Sequence, residues 1–182
     1  MKSIFSFIWE VLKITVVALL IVIPIRYFIF QPFFVKGQSM EPNFENGDYL
    51  IIDELSYRFN EPQRGEVVVF RYPNDPVQRY IKRIVGLPKE TVEIKDGKVA
   101  VFNQEGSKVL EESEYLVPAS YTAGDSKTVL HDDEYYVLGD NRSVSSDSRR
   151  WGPLKKDYII GKVVLRAWPF TTLTKFSSPV YE

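Results

Sequence analysis

The chain has 182 residues, room for one compact domain of about 150 residues plus a short appendage, which excludes a multidomain machine. With 45% hydrophobic and 14% aromatic residues it can bury a core, and a net charge of −1 from 23 basic and 24 acidic groups gives no general attraction for nucleic acid. The absence of cysteine excludes thiol catalysis, disulfides and thiolate-bound zinc.

In chain order, the first 36 residues stand apart, with four bases (Lys2, Lys13, Arg26, Lys36) against one acid, Glu10. The uncharged run Ile14 to Ile25 would make a helix of roughly 18 Å, too short for a hydrocarbon core of about 30 Å. Extension to Phe34 reaches roughly 31 Å if Arg26 snorkels to the headgroups; an earlier start, near Val11, places Lys13 at the opposite end. A membrane anchor helix over 11–34 is therefore expected. A cleavable leader would need small residues after its apolar run, whereas bulky RYFIFQPFF follows here. A helix lying flat in the interface is the alternative, because Phe5, Phe7 and Trp9 sit beside Glu10 and Lys13. Charge counting leaves the sidedness open, since two bases precede the apolar run and two follow it.

Beyond Lys36 the pattern is strand-like, in DYLIID (48–53), EVVVFRY (66–72), RYIKRIV (79–85), EYYVLG (134–139) and YIIGKVVLRAW (158–168). Asp96-Gly97 lies between two alternating runs in VEIKDGKVAV and predicts a tight hairpin, because both residues tolerate positive φ. The polar stretch at about 86–133 reads as a small inserted β subdomain. The expected class is mainly β: antiparallel sheets forming one catalytic body over 35–182, after a single anchor helix.

The one histidine, His131, stands in the acidic run HDDE and reads as a solvated loop residue, so a Ser-His-Asp arrangement finds no support. Adjacent Asp132 and Asp133 diverge in an extended chain and do not form an acid–base pair. No metal or phosphate-binding motif is present. What remains is hydroxyl nucleophile chemistry with lysine as base. Three islands bear on it. GQSMEPNF (37–44) follows the apolar segment and holds Ser39; alone, it reads as an ordinary juxtamembrane turn. RYIKRIVGLP (79–88) places Lys82 on one strand face with Tyr80 and Ile84, and Arg83 on the other; alone, the amine reads as solvated. The distinction matters because an ordinary lysine is neutral in roughly one molecule in 2,500 at pH 7, and burial removes that obstacle. GDNRSVSSDSRRWG (139–152) reads either as a flexible polar loop or as a folded one braced by an Asp147–Arg149 ion pair, and its Asn141-Arg142-Ser143 triplet as an accidental glycosylation match.

Together the islands resemble the bacterial type I signal peptidases. Ser39-Met40-Glu41-Pro42 matches that family's nucleophile motif, Gly47-Asp48 its following Gly-Asp, and Arg64 to Phe70 its Arg-Gly-acid-x-Val-Val-Phe strand. Tyr80 to Pro88 matches the base motif, and Gly139 to Arg149 with Trp151-Gly152 the final one. Asn43-Phe44 depart from the usual Thr-Leu, which is expected to retune the pocket wall, and Lys89-Glu90 depart from the usual Gly-Asp at a turn. Gly37 stands where some members carry an oxyanion-hole hydroxyl.

The resemblance implies a membrane-bound serine endopeptidase that removes N-terminal signal peptides from exported pre-proteins after small residues. Ser39 would be the nucleophile, Lys82 the neutral general base, and Ser145 a hydroxyl orienting the amine, with Asp147 and Arg149 bracing its loop. Met40, Tyr80 and Ile81 would bind substrate, with no metal or other cofactor. It further implies a single-pass protein of the bacterial plasma membrane, of Gram-positive-like type, with residues 1–10 cytoplasmic and the body outside. Its partners would be pre-proteins and the lipid bilayer, with no nucleic acid. Trp168, Pro169 and Phe170, with Phe30, Phe33 and Phe34, are candidates to dip into the interface, or equally to be core or helix-flanking aromatics. Two rivals are a catalytically silent membrane-anchored β module that binds signal segments or partner proteins, and a self-cleaving SOS-type repressor. The latter would need a DNA-binding helix-turn-helix where this chain has its apolar segment.

Overall fold

The computed structural model describes residues 2–28, 30–104, 106–118, 120–176 and 179. Helix α1 (Lys2–Phe28) is 27 residues long, about 40 Å at 1.5 Å per residue. Within it the 19 residues from Ile4 to Val22 are exposed and are long and apolar enough to cross a membrane. The helix begins earlier than the expected 11–34 and stops at Phe28, and residues 30–34 form a strand instead. Pro32 explains the change: it biases Gln31 toward extended geometry and lacks the N–H that would continue the helix. Strand β1 (Phe30–Phe34) lies at the edge of its sheet, the position in which a sheet accepts a proline.

The body follows as β2 (Tyr49–Asp53), β3 (Val67–Tyr72), β4 (Asp75–Gly86), β5 (Thr91–Lys95), β6 (Lys98–Asn103), β7 (Gly106–Val109), β8 (Ser126–Val129) and β9 (Glu134–Leu138). A short helix α2 (Ser148–Trp151), β10 (Leu154–Lys155), β11 (Ile159–Trp168) and β12 (Thr174–Lys175) complete it. Among the described residues, eight strands form one sheet in the order β1-β2-β11-β3-β4-β9-β10, with β12 on β11. A four-stranded sheet, β7-β6-β5-β8, lies within the polar excursion. All described pairings are antiparallel, as the β-branched runs and short connections favour. The β5–β6 hairpin closes Lys95 against Lys98, with Asp96 at φ 51° and Gly97 at φ 78°, the two positive values the Asp-Gly pair tolerates.

Alternation along β3 sends Val67 and Val69 to one apolar cluster, with Met40, Phe44, Leu50 and Ile81, and Val68 and Phe70 to another, with Ile84, Tyr135 and Leu154. A third cluster joins Val85 and Leu138 to Val92, Ile94, Val99 and Val101 of the smaller sheet. The long strand β4 touches all three, and from Ile81 to Gly86 every residue of it is buried. Burying each large apolar side chain contributes about 1.5–3 kcal/mol, so this half of β4 is among the most firmly held parts of the body. Lys82 sits within it.

Candidate active site

After β1 the chain turns back on itself. The Val35 N–H donates to the Asp48 carbonyl (2.9 Å) and the Gly47 N–H to the Val35 carbonyl (3.0 Å), which closes residues 35–48 into a loop. Inside it the Phe44 N–H donates to the Met40 carbonyl (2.9 Å), a single helical turn whose Met40 and Phe44 side chains are sunk in the core. Those two anchors leave Ser39 half-buried at the turn's start. Met40 therefore stands behind the site, 1% exposed and packed with Val35 and Leu50, and it is not one of the cleft-lining residues expected from the sequence.

Lys82 lies opposite Val68 on the strand face that also carries Tyr80 and Ile84. Its Nζ is 2.7 Å from Ser39 Oγ and 2.7 Å from the Ile81 carbonyl oxygen, and 5.6 Å from the centroid of the Tyr80 ring. Only 3% of the residue is exposed. Burial pulls the amine down to about 8, while the carboxylates of Asp147 and Asp140 hold it from falling further.

The loop from Gly139 to Arg149 packs against this pair. Asp147 is fully buried and caps α2: it accepts from the Gly139 N–H (3.1 Å) and the Arg149 N–H (3.3 Å), and its two oxygens take Nε and Nη2 of Arg149 at 2.8 Å each. Burial alone would raise this carboxyl; the Arg149 guanidinium, the Gly139 N–H and the Ser145 hydroxyl outweigh it and hold it below the usual carboxylate range. Ser145 is 2% exposed and lies by Asp147, Gly139 and the Ser39 carbonyl. The same loop clasps the nucleophile turn, since the Asn141 N–H donates to the Ser39 carbonyl at 3.1 Å.

A cleft of about 920 Å³ opens over Ser39 and Lys82. Pro32, Phe33 and Phe34 of β1 form one flank, Gln78 to Ile81 of β4 another, and Val144 and Ser146 of the 139–149 loop also line it. Of the three expected substrate-binding residues, Tyr80 and Ile81 line it. His131 is exposed in its turn, and among the described residues no histidine–carboxylate cluster could hold a metal ion.

Sequence reasoning missed a layer of buried polar pairs beneath the site. Arg83 grips Asp140 through two bonds (2.9 and 2.7 Å). Arg142 grips Glu112 through two more (3.0 and 2.6 Å) and also reaches Thr122. Arg83, Asp140 and Arg142 fall inside quoted motifs, so their identity was visible but not their pairing. Glu112 and Thr122 lie in the polar excursion, where nothing marks them as buried.

The family model for signal peptidases, peptidase S26, matches residues 8–168. A probable signal peptidase I-2 of the cyanobacterium Synechocystis sp. is 39% identical over 88% of this chain and 73% of its own length. Signal peptidase IB of Staphylococcus aureus is 33% identical over 85% and 86%. A crystal structure of a signal peptidase I from Enterococcus faecalis aligns with 57% of this chain and 97% of its own, at 29% identity and a TM-score of 0.47. With a match running from within α1 to the end of β11 and relatives that cover most of both lengths, the chain belongs to the signal peptidase family, peptidase S26.

Proposed function

We propose that this signal peptidase cleaves by a Ser39–Lys82 dyad. The carrying observation is the 2.7 Å approach of a buried lysine amine, its pKa drawn down to about 8, to a serine hydroxyl at the floor of an open cleft. Neutral Lys82 donates one N–H to the Ile81 carbonyl, which orients the amine, and accepts the Ser39 proton through its lone pair. Ser39 Oγ attacks the scissile carbonyl carbon, and the electron pair of the C=O bond moves to oxygen. Collapse of the tetrahedral adduct expels the amine, which takes the proton from Lys82, and leaves an acyl ester on Ser39. Water, deprotonated by the Lys82 amine, attacks the acyl ester, and the ester C–O bond breaks to release the acid as Lys82 returns the proton to Ser39 Oγ.

No acceptor takes the Ser39 N–H among the described residues, which leaves it free to donate to the oxyanion; loss of such a donor typically costs about 2.7–4 kcal/mol. Ser145 and the Asp147–Arg149 pair hold the loop that clasps the Ser39 carbonyl.

The substrate's conformation follows from β4. β3 pairs along one edge of this strand, but β9 takes up the other edge only from Arg83 to Gly86, so Gln78 to Ile81 leave an unpaired edge on the cleft. An extended peptide added there places alternate side chains into the wall, the geometry needed to select small residues before the cut. The anchor helix ends eleven residues before Ser39 and β1 lines the cleft, so the pre-protein is met near the bilayer surface. In this reading the amino end is cytoplasmic and the body faces outward.

The test is cleavage of a pre-protein with small residues before its cut by wild type, Ser39→Ala and Lys82→Ala. Loss in both variants, with a serine-acylating probe labelling Ser39 only in the wild type and far more slowly in Lys82→Ala, is expected. Equal processing by all three would overturn the dyad, and no processing even by wild type would leave a silent binding module as the correct description.

A further inference from the structure

Asn43 is one of the chain's departures from its family's usual residues, and the expectation was a change in the pocket wall. The structure places it elsewhere. It is absent from the cleft's lining, and its side-chain amide donates one N–H to the Tyr115 carbonyl (2.6 Å) and one to Asp140 Oδ2 (2.9 Å). Asp140 is the carboxylate gripped by Arg83, whose guanidinium also donates to the Gly65 carbonyl (2.9 Å) and lies 4.2 Å over the Tyr115 ring. Asn43's own carbonyl is taken by Arg166, which pairs with Asp48 at 2.9 Å.

This junction joins the two reacting residues by a second route. Arg83 is the next residue after Lys82, and Asn43 stands four residues after Ser39 at the far end of the same turn. Both reach one buried carboxylate, 2% exposed, on the loop whose next residue donates to the Ser39 carbonyl. The Ser39–Lys82 contact is thus one side of a closed frame, and Asn43–Asp140–Arg83 is the other. We infer that Asn43 is a positioning residue, whose paired amide donors set the approach of Ser39 to Lys82. The inference rests on the dyad reading above.

The residue type follows from the demand. Two acceptors of unlike kind must be met from one short side chain, and only a carboxamide offers two N–H donors at that length. Threonine offers one, leucine none, and aspartate would set a second carboxylate against Asp140. A misplacement of about 1 Å between reacting groups costs on the order of 100-fold in rate.

The experiment uses the full chain in vesicles with a small-residue pre-protein, comparing wild type with Asn43→Asp, Asn43→Leu and Asn43→Thr. Asn43→Asp and Asn43→Leu are expected to lower kcat about 10- to 100-fold with KM within about 3-fold, and Asn43→Thr to recover part of kcat. The ascending limb of the kcat/KM pH profile moves upward in Asn43→Asp, because the added carboxylate favours the charged amine. Thermal unfolding is followed in parallel. A fall in activity matched by a fall in folded fraction, with kcat per folded molecule and pH profile unchanged, overturns the positioning role. So does wild-type kcat in Asn43→Leu. Ser39→Ala and Lys82→Ala run alongside: if either still turns over, the dyad reading fails and this inference with it, whereas inactive dyad variants beside normal Asn43 variants overturn the Asn43 role alone.

Discussion

In the proposed dyad Lys82 must lose its charge to act, and such a lysine is a burden on the fold that carries it. With the amine lowered to about 8, roughly one molecule in ten is neutral at pH 7, against roughly one in 2,500 for an ordinary lysine. Below pH 8 both folded and unfolded chains bind the proton, and the folded state bears the full cost of an ammonium in a dry site. Between about 8 and the ordinary 10.4 the unfolded chain binds more protons, so stability rises with pH across that window, by at most about 3 kcal/mol. Lys82→Met, similar in volume and uncharged, should therefore abolish turnover yet raise the melting temperature of the body by a few degrees at pH 6.5, with the gain fading by pH 10.5. Calorimetry at the two pH values checks this; a lower melting temperature at pH 6.5 would mean that the amine's bonds to Ser39 and the Ile81 carbonyl outweigh its desolvation. With Lys82 as the proposed base, the same titration governs the wild-type rate, and kcat/KM should climb through a midpoint near pH 8. Gly139 makes a second prediction at this scale. A Cβ there would collide with the Ser39 carbonyl and the Ser145 hydroxyl, so Gly139→Ala should cost at least about 100-fold in kcat while the body still folds, as single-turnover acylation of Ser39 and circular dichroism would report.

Among the elements, the 139–149 loop shows why composition misleads. Dense in hydroxyls and charges, it could read as flexible, yet Asp147 alone gathers four donor contacts and Arg149 reaches the Arg142 carbonyl (2.8 Å) as well. Asp147→Asn leaves the Arg149 guanidinium, 11% exposed, without its counter-charge, and should cost about 3–5 kcal/mol in chemical denaturation. The pH dependence has a definite sign. Because the folded carboxyl lies below its ordinary value, its stabilisation is complete above the unfolded pKa near 3.9 and disappears as pH falls through the lower folded value. Wild type should lose more stability in that acid window than Asp147→Asn, whose remaining loss comes from other carboxyls lowered by folding, such as Asp53. The elements that short-range chemistry determines were legible: the β-branched strand cores and the Asp-Gly hairpin, whose φ values only certain residues accept. β1 was not, because an apolar run says nothing of helix or strand, and Pro32 settles the matter only once an edge position is known. Ser39 and Lys82 were visible through their motifs. The Glu112, Tyr115 and Asn43 contacts join residues 30 to 97 positions apart, and no local pattern encodes them.

At the scale of the whole molecule, one end of the larger sheet carries an apolar edge. Phe34 pairs with Tyr49 and Tyr49 with Trp168, so the three side chains share one face, 53%, 39% and 54% exposed. Phe170, still more exposed, meets the Trp168 ring edge-on at 4.8 Å. The side chain of Phe30, also a candidate for the interface, lies outside the described residues. Phe34 lines the cleft itself, and aromatic side chains of this kind favour the headgroup layer of a bilayer. Anchor and aromatic edge should then act on different quantities. The anchor confines enzyme and pre-protein to one surface, which raises their effective concentration; the edge tilts the cleft onto that surface. A body of residues 30–182, lacking α1, should cleave a short soluble peptide within about 3-fold of the full chain but lose at least about 100-fold on a pre-protein inserted in vesicles. Trp168→Ala with Phe170→Ala should reduce vesicle binding of that truncated body about 10-fold and leave soluble-peptide cleavage alone. Flotation with vesicles and parallel rates on the two substrates measure both effects. If the truncated body cleaved the inserted pre-protein as fast as the full chain, the anchor would have no part in presenting the substrate; if the truncated body with Trp168→Ala and Phe170→Ala did so too, neither would the edge, and specificity would reside wholly in the cleft.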